Sequence, residues 1–117
     1  MRVITIQQPY ASLIANGYKK YEFRNWKTNY RGALYIHAGL KVDQVALQTY
    51  QHLGLDFPTG VIVAKVNLVD CVLAEEVLSP AERSNNDYQY AFVLDVIEQI
   101  NSTEKIRGKL GLWRLER

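Results

Sequence analysis

The side chains best suited to chemistry lie in one ten-residue segment, from Gly17 to Trp26, which reads Gly-Tyr-Lys-Lys-Tyr-Glu-Phe-Arg-Asn-Trp. Lysine and arginine can neutralise phosphates, and glutamate can accept a hydrogen bond from the exocyclic amine of a base or act as a base itself. Tyrosine and tryptophan can stack on a nucleobase. This mixture predicts recognition of phosphates and bases, and it leaves open whether the segment also catalyses a reaction.

Each of the four strongest candidates in this segment has two interpretations. Lys19 is a general base if desolvation or neighbouring cations lower its pKa, or else a phosphate-binding lysine, because only the neutral amine accepts a proton. Glu22 either accepts hydrogen bonds from a base edge or pairs with Arg24, whose planar fork suits a phosphate equally well. Trp26 either stacks on a base or packs against the core.

Three further candidates lie outside the segment. Gln8 lies at a predicted helix start, where backbone amides and the helix dipole favour an anion. His37 ends a predicted strand, where it either serves a ligand or has a structural role. Lys65 points away from the apolar face of its predicted strand. It either lines a ligand-binding cleft together with the other candidates or lies exposed at the edge of the fold. The predicted binding residues are therefore Gln8, Lys19, Glu22, Arg24, Trp26, His37 and Lys65.

Alternation of polar and apolar residues predicts that residues 20–24 form a strand. We expect the rings of Tyr21 and Phe23 on its buried face, with Lys20, Glu22 and Arg24 projecting together on the wet face. Lys19 would lie at the entry to this strand, aimed into the same cleft.

Apolar periodicity also predicts the elements that must position these residues. In one long strand, Ile62, Ala64, Val66 and Leu68 are expected to share a face. Residues 75–86 are polar and irregular, with a helical turn after Ser79-Pro80, and are predicted to be a mobile loop. The predicted strands are 3–6, 20–24, 33–37, 61–69, 88–96 and 110–115, and the predicted helices are 9–16 and 42–53. This content indicates an α+β fold, a small mixed β-barrel of about five to six strands with two to three flanking helices.

Length and composition narrow the class of protein. A chain of 117 residues predicts one domain over residues 1–117, and 48% hydrophobic content excludes a disordered chain. No apolar run approaches the roughly 20 residues of a membrane span, and the amino terminus is unlike a secretory signal, so a cytoplasmic protein is expected. Cys71 is the only cysteine and there are two histidines, so no metal site and no cofactor are expected.

Charge is unevenly distributed along the chain. Residues 18–41 carry six cations and one carboxylate, and residues 107–117 carry four cations and one carboxylate. Residues 42–106 carry ten carboxylates and three cations. If the two basic segments meet in space, they form a positive face suited to a polyanion or a nucleotide. An ordinary solvated surface is the alternative.

Several motifs are spaced in order along most of the chain. They are Gln8-Pro9-Tyr10-Ala11, Gly17-x-Lys19-x-x-Glu22-x-Arg24 with Trp26, Tyr30-Arg31-Gly32, Ile36-His37-Ala38, Gly60-Val61-Ile62, Val69-Asp70-Cys71 and Gly108-Lys109-Leu110-Gly111-Leu112-Trp113. Together they resemble the ASCH domain family. The resemblance implies a PUA-like β-barrel, a cleft lined by the Gly-x-Lys-x-x-Glu-x-Arg segment, and binding of RNA or a nucleotide, with a role in RNA metabolism.

The same resemblance implies an enzymatic alternative, because some members of the family are N4-acetylcytidine amidohydrolases and others are described as ribonucleases. The amidohydrolases use a lysine, a threonine and a glutamate. Lys19 matches the lysine, Glu22 stands at the position of the threonine, and Glu82 or Asp87 is a candidate for the glutamate. A metal-independent hydrolase with Lys19 and Glu22 as catalytic residues is thus the first alternative, and a binder of a small anionic metabolite is the second.

Overall fold

The alternating apolar segments form one mixed sheet in the computed structural model, which describes residues 1–116. An α+β fold is confirmed, with three short α-helices and two 3-10 turns, Gln51–Leu53 and Ala74–Glu76, accompanying the six strands of this range. The elements are β1 (Arg2–Gln8), α1 (Tyr10–Ala15), β2 (Tyr21–Arg24), β3 (Gly32–Val42), α2 (Gln44–Tyr50), β4 (Val61–Leu73), α3 (Pro80–Arg83), β5 (Tyr90–Gln99) and β6 (Leu112–Arg114).

The strand order in the sheet is β2-β5-β4-β3-β1-β6, with β1 and β3 parallel and the other neighbours antiparallel. Within residues 1–116 the sheet therefore keeps two edges, β2 and β6, and it is not closed into the predicted barrel. Strand length accounts for the difference, because β6 has three residues and pairs only with the start of β1. The next residue of β1, Thr5, is not paired with β6. Its carbonyl oxygen instead accepts from Nη2 of the Arg24 side chain at 2.9 Å.

The main core lies between one face of the sheet and α1. It is built from buried aliphatic side chains around one buried aromatic ring, among them Ile4, Ile6, Ile14, Leu34, Ile36, Val66, Leu68 and Phe92. A smaller cluster of Val3, Ile62 and Trp113 covers the other face.

A bulge in β4 corrects the predicted distribution of its side chains. Ile36 pairs with Ala64, but the next residue of β3, His37, pairs with Ile62, so the register skips Val63. Because one extra residue reverses the facing of everything beyond it, Ile62 joins the smaller cluster instead of sharing a face with Ala64.

The predicted helix 42–53 is divided into α2 and a 3-10 turn, which ends at Gly54 with a φ of 68°. The carboxylate of Asp43 caps α2 by accepting from the Ala46 amide at 3.1 Å, and it also accepts from the hydroxyl of Tyr10 at 2.7 Å. Burial and this carboxylate raise the pKa of Tyr10 to about 12. In residues 1–116 no helix is long and apolar enough to cross a membrane.

Gln8 joins β1 to α1 from a completely buried position, at 0% exposure. Its Nε2 donates to Ser12 Oγ and to the carbonyl oxygen of Pro58, both at 2.7 Å, and its Oε1 accepts from the Ser12 amide at 3.0 Å. The amide group is thus fully engaged within the protein and holds the start of α1 to the segment before β4.

We predict that Gln8→Ala lowers the free energy of unfolding by about 2–3 kcal/mol, because it leaves buried polar groups without partners. Urea denaturation monitored by circular dichroism measures the change. Gln7→Ala is the matched control at the neighbouring position, where the side chain makes no hydrogen bond within residues 1–116. Equal stability of the two variants would contradict a structural role for the Gln8 amide.

Candidate functional site

The candidate site is a cluster of three charged side chains, in which two cations surround the carboxylate of Glu22. Glu22 lies opposite Phe92 in the β2–β5 register, and its side chain points to the main core with 9% exposure. Lys19 Nζ lies 3.3 Å from Oε1, while Nε and Nη2 of Arg24 lie 3.1 and 3.0 Å from Oε2. We call Lys19, Glu22 and Arg24 the charged cluster.

The facing of β2 is the reverse of the prediction. Glu22 is the buried residue of the strand, whereas Tyr21 and Phe23 are half-buried on the other face with ring centroids 6.4 Å apart. A buried carboxylate needs compensating partners, and the two cations supply them. Lys20 does not join the cluster, because its side chain is 61% exposed and lies 3.8 Å from Asp95.

The turn after α1 positions Lys19. Gly17 adopts a φ of 82°, and the amides of Tyr18 and Lys19 donate to the carbonyl oxygen of Leu13 at 2.9 and 3.2 Å. The Lys19 ammonium then reaches the carbonyl oxygen of Tyr21 as well as Glu22. Burial lowers the pKa of Lys19 below its usual 10.5, Arg24 adds to that effect, and the Glu22 carboxylate opposes it.

Thr5 links the charged cluster to a second polar network that the sequence did not indicate. Its carbonyl oxygen accepts from Arg24, and its hydroxyl accepts from Nε1 of Trp113 at 3.1 Å. Nε2 of His37 donates to the carbonyl oxygen of Ile106 at 2.7 Å, so Nδ1 is the acceptor for the Thr5 hydroxyl at 3.1 Å. Buried at 1% exposure, His37 thus has both ring nitrogens bonded inside the protein.

Gly108, in the carboxyl-terminal motif, lies against Thr5 and His37. A Cβ atom at Gly108 would lie 2.8 Å from Thr5 Oγ1 and 3.1 Å from His37 Cε1, so only glycine lets this segment approach β1 so closely. The two basic segments of the sequence therefore meet at Thr5, one through Arg24 and the other through Gly108.

Beside Gly108, a groove of about 830 Å³ lies between the segment 105–110 and the neighbouring residues of β1 and β3. Thr5 and His37 form part of its wall, and three cations belong to it, Lys105, Arg107 and Lys109. We call it the 105–110 groove. The charged cluster is not part of its lining.

Comparison with known proteins gives the family. The family model described as "ASCH domain" matches residues 4–104. The chain belongs to the ASCH domain family. It is also 28% identical over 127 aligned residues to the proteins named activating signal cointegrator 1 of Homo sapiens and of Mus musculus. In both cases the match covers 97% of this chain and 22% of the relative, so this ASCH domain spans about a fifth of their length.

The remaining predicted residues of this ASCH domain form no hydrogen bond or ion pair with the charged cluster within residues 1–116. Trp26 is half-buried and packs edge-on against Phe92, with ring centroids 5.1 Å apart. Lys65 lies opposite Tyr35 in the register and holds its ammonium 5.8 Å from the centre of that ring. Of the two candidate acids, Glu82 closes a capping box with Ser79 at the start of α3, and the hydrogen bond from the Ser79 amide lowers its pKa.

We predict that the lowered pKa of Lys19 makes stability rise with pH on the alkaline side. As pH rises toward 10.5, the folded state loses this proton before the unfolded chain does, so the unfolded state binds more protons and folding is increasingly favoured. Urea unfolding of wild type and Lys19→Met at pH 7, 8, 9 and 10 measures the effect. The free energy of unfolding of the wild type should increase relative to that of Lys19→Met by at most about 1.4 kcal/mol per pH unit.

Lys20→Met is the matched control, because it removes an exposed lysine from the same segment. It should keep the slope of the wild type. If Lys19→Met also keeps that slope, a group other than Lys19 carries the pH dependence.

Proposed function

We propose that this ASCH domain binds single-stranded RNA or a nucleotide, with phosphate oxygens held by Lys19 and Arg24. The observation that carries the proposal is the charged cluster itself, in which two cations share one carboxylate and keep a net positive charge. Cations fixed in position by protein contacts lose less conformational entropy when a phosphate binds.

Arg24 is suited to this role because its contacts use only part of its guanidinium. Nε and Nη2 bond to Glu22 and to the carbonyl oxygen of Thr5, while Nη1 makes no hydrogen bond within residues 1–116. The side chains of Lys19 and Arg24 are 21% and 23% exposed, so a ligand can reach them. Arginine donors in this planar arrangement match the oxygens of a phosphate.

An exposed aromatic residue adjoins Lys19 in the sequence. Tyr18 precedes Lys19 and is 60% exposed, so its ring is available for stacking on a base. Glu22, Gln8 and His37 serve as positioning residues in this proposal: Glu22 holds the cations, Gln8 fixes α1, and His37 fixes Thr5. The family resemblance supports the same conclusion, because it implies recognition of RNA or nucleotides.

We predict that binding of a fluorescein-labelled single-stranded 12-nucleotide RNA weakens as KCl rises from 50 to 200 mM. Each phosphate contact contributes about −0.7 to the slope of log affinity against log salt concentration. Lys19→Met and Arg24→Met should each weaken binding and reduce that slope by about 0.7, as measured by fluorescence anisotropy. Arg83→Ala, in α3, is the control for a general loss of positive charge.

Glu22→Gln distinguishes binding from stability. It removes the one carboxylate of the charged cluster and keeps an oxygen that accepts from Lys19 or Arg24, so RNA affinity at 50 mM KCl should increase. Damage to the fold would decrease it. No measurable RNA binding, or binding insensitive to salt, would refute the proposal.

A second candidate function rests on the lowered pKa of Lys19. A neutral Lys19 can take a proton from water as that water attacks the acetyl carbonyl of N4-acetylcytidine. The carbon–nitrogen bond then breaks, the amine of cytidine takes the proton from Lys19, and the acetic acid formed leaves as acetate after losing its remaining proton to solvent. Glu22 Oε1, 3.3 Å from Nζ, orients the ammonium formed in the first step.

We predict for this candidate that the wild-type protein converts N4-acetylcytidine to cytidine and acetate, measured by liquid chromatography. Lys19→Met should lower the rate at least about 100-fold, as expected for loss of a general base. Lys20→Met should leave the rate unchanged. A wild type without turnover, or equal rates for wild type and Lys19→Met, would exclude this reaction.

A further inference from the structure

The 105–110 groove exposes aliphatic side chains that the fold leaves uncovered. Leu40 is 81% exposed and Leu110 is 97% exposed, and both line the groove together with Ile106. Single exposed leucines are common on protein surfaces, but exposed aliphatic groups gathered in one concave site are typical of a binding surface. The groove volume of about 830 Å³ is enough for several side chains of a partner.

Hydrogen bonds within the protein hold the groove in shape. The Ile106 amide donates to the carbonyl oxygen of Gly60 at 2.7 Å, and His37 donates to the carbonyl oxygen of Ile106. Lys105 Nζ donates to the carbonyl oxygen of Thr59 at 2.7 Å. A partner therefore meets a site that is already formed, which lowers the entropic cost of binding.

The charge around the groove has one sign. Lys105, Arg107 and Lys109 contribute to its lining, and no carboxylate does so within residues 1–116. None of the three forms an ion pair in that range. The complementary ligand is therefore anionic as well as apolar.

The kind of apolar surface decides between a protein and a nucleic acid. Sites for single-stranded nucleic acids present aromatic rings on which bases stack, and in residues 1–116 the lining includes no Tyr, Trp or Phe. Aliphatic side chains in a preformed groove suit the anchor residues of a peptide segment. We propose that the 105–110 groove docks an acidic segment of a partner protein that inserts apolar side chains between Leu40, Ile106 and Leu110.

Selection of phage-displayed random 12-residue peptides on the full chain tests this proposal, followed by anisotropy titration of the selected peptides. Enriched peptides should carry a net negative charge and at least two large apolar residues. Leu110→Asp and the double variant Arg107→Glu, Lys109→Glu should weaken their binding at least tenfold. Leu110, Arg107 and Lys109 are all exposed; because the Lys109 ammonium lies 5.8 Å from the centre of the Trp113 ring, circular dichroism of the double variant checks that the fold is unchanged.

Val45→Asp is the matched control, because Val45 is 77% exposed in α2 and does not line the groove. Its peptide affinity should stay within twofold of the wild type. Failure to enrich any peptide, enrichment of basic peptides, or equal weakening by Val45→Asp would overturn the proposal. It would also be overturned if a 12-nucleotide RNA displaced the peptides and lost affinity in the same groove variants.

Discussion

The pairing of the buried Glu22 carboxylate with two cations is the interaction on which the arrangement of α1, β1 and β2 in this ASCH domain depends. A carboxylate facing an apolar core is costly unless cations and hydrogen bonds compensate it, and here Lys19 and Arg24 do so from either side. Because these partners come from the turn after α1 and from the end of β2, the carboxylate connects that turn to the end of the strand. Arg24 extends the arrangement to β1 through the carbonyl oxygen of Thr5.

Thr5 connects the charged cluster to the hydrogen bonds of His37 and Trp113. Its backbone takes part in the charged cluster, while its hydroxyl connects Trp113 with His37. Gln8 and His37, two predicted binding residues outside the segment Gly17–Trp26, instead have their side-chain polar atoms bonded inside the protein. Their polarity is used for holding α1 and the segment before β6 against β1.

The sequence predicts the elements well, because apolar alternation and turn residues are local signals. The prediction of which side chains of β2 are buried was wrong. A pattern of polar and apolar residues does not show that Lys19 and Arg24 neutralise Glu22 and allow it to be buried. The bulge at Val63 and the open sheet were also missed, because they depend on strand pairing and strand length across the fold. Strand alternation grouped Lys20 with Glu22 and Arg24, but the structure places Lys19 beside Glu22 and Arg24 and leaves Lys20 exposed near Asp95. Thr5 has no distinguishing neighbours in sequence. Gly108 was the available signal for it, as a glycine that must approach another strand closely.

The contact between β1 and β2 determines how easily these two strands separate. Within residues 1–116 no backbone hydrogen bond joins β1 to β2, and one arginine side chain connects them. Separating the two strands there costs about 1.5–3 kcal/mol, the contribution of one hydrogen bond to a charged group, instead of the loss of a strand pair. The six strands are thus held by backbone pairing, while β1 and β2 are joined by one side-chain hydrogen bond that can break while every backbone pair of the sheet remains in place.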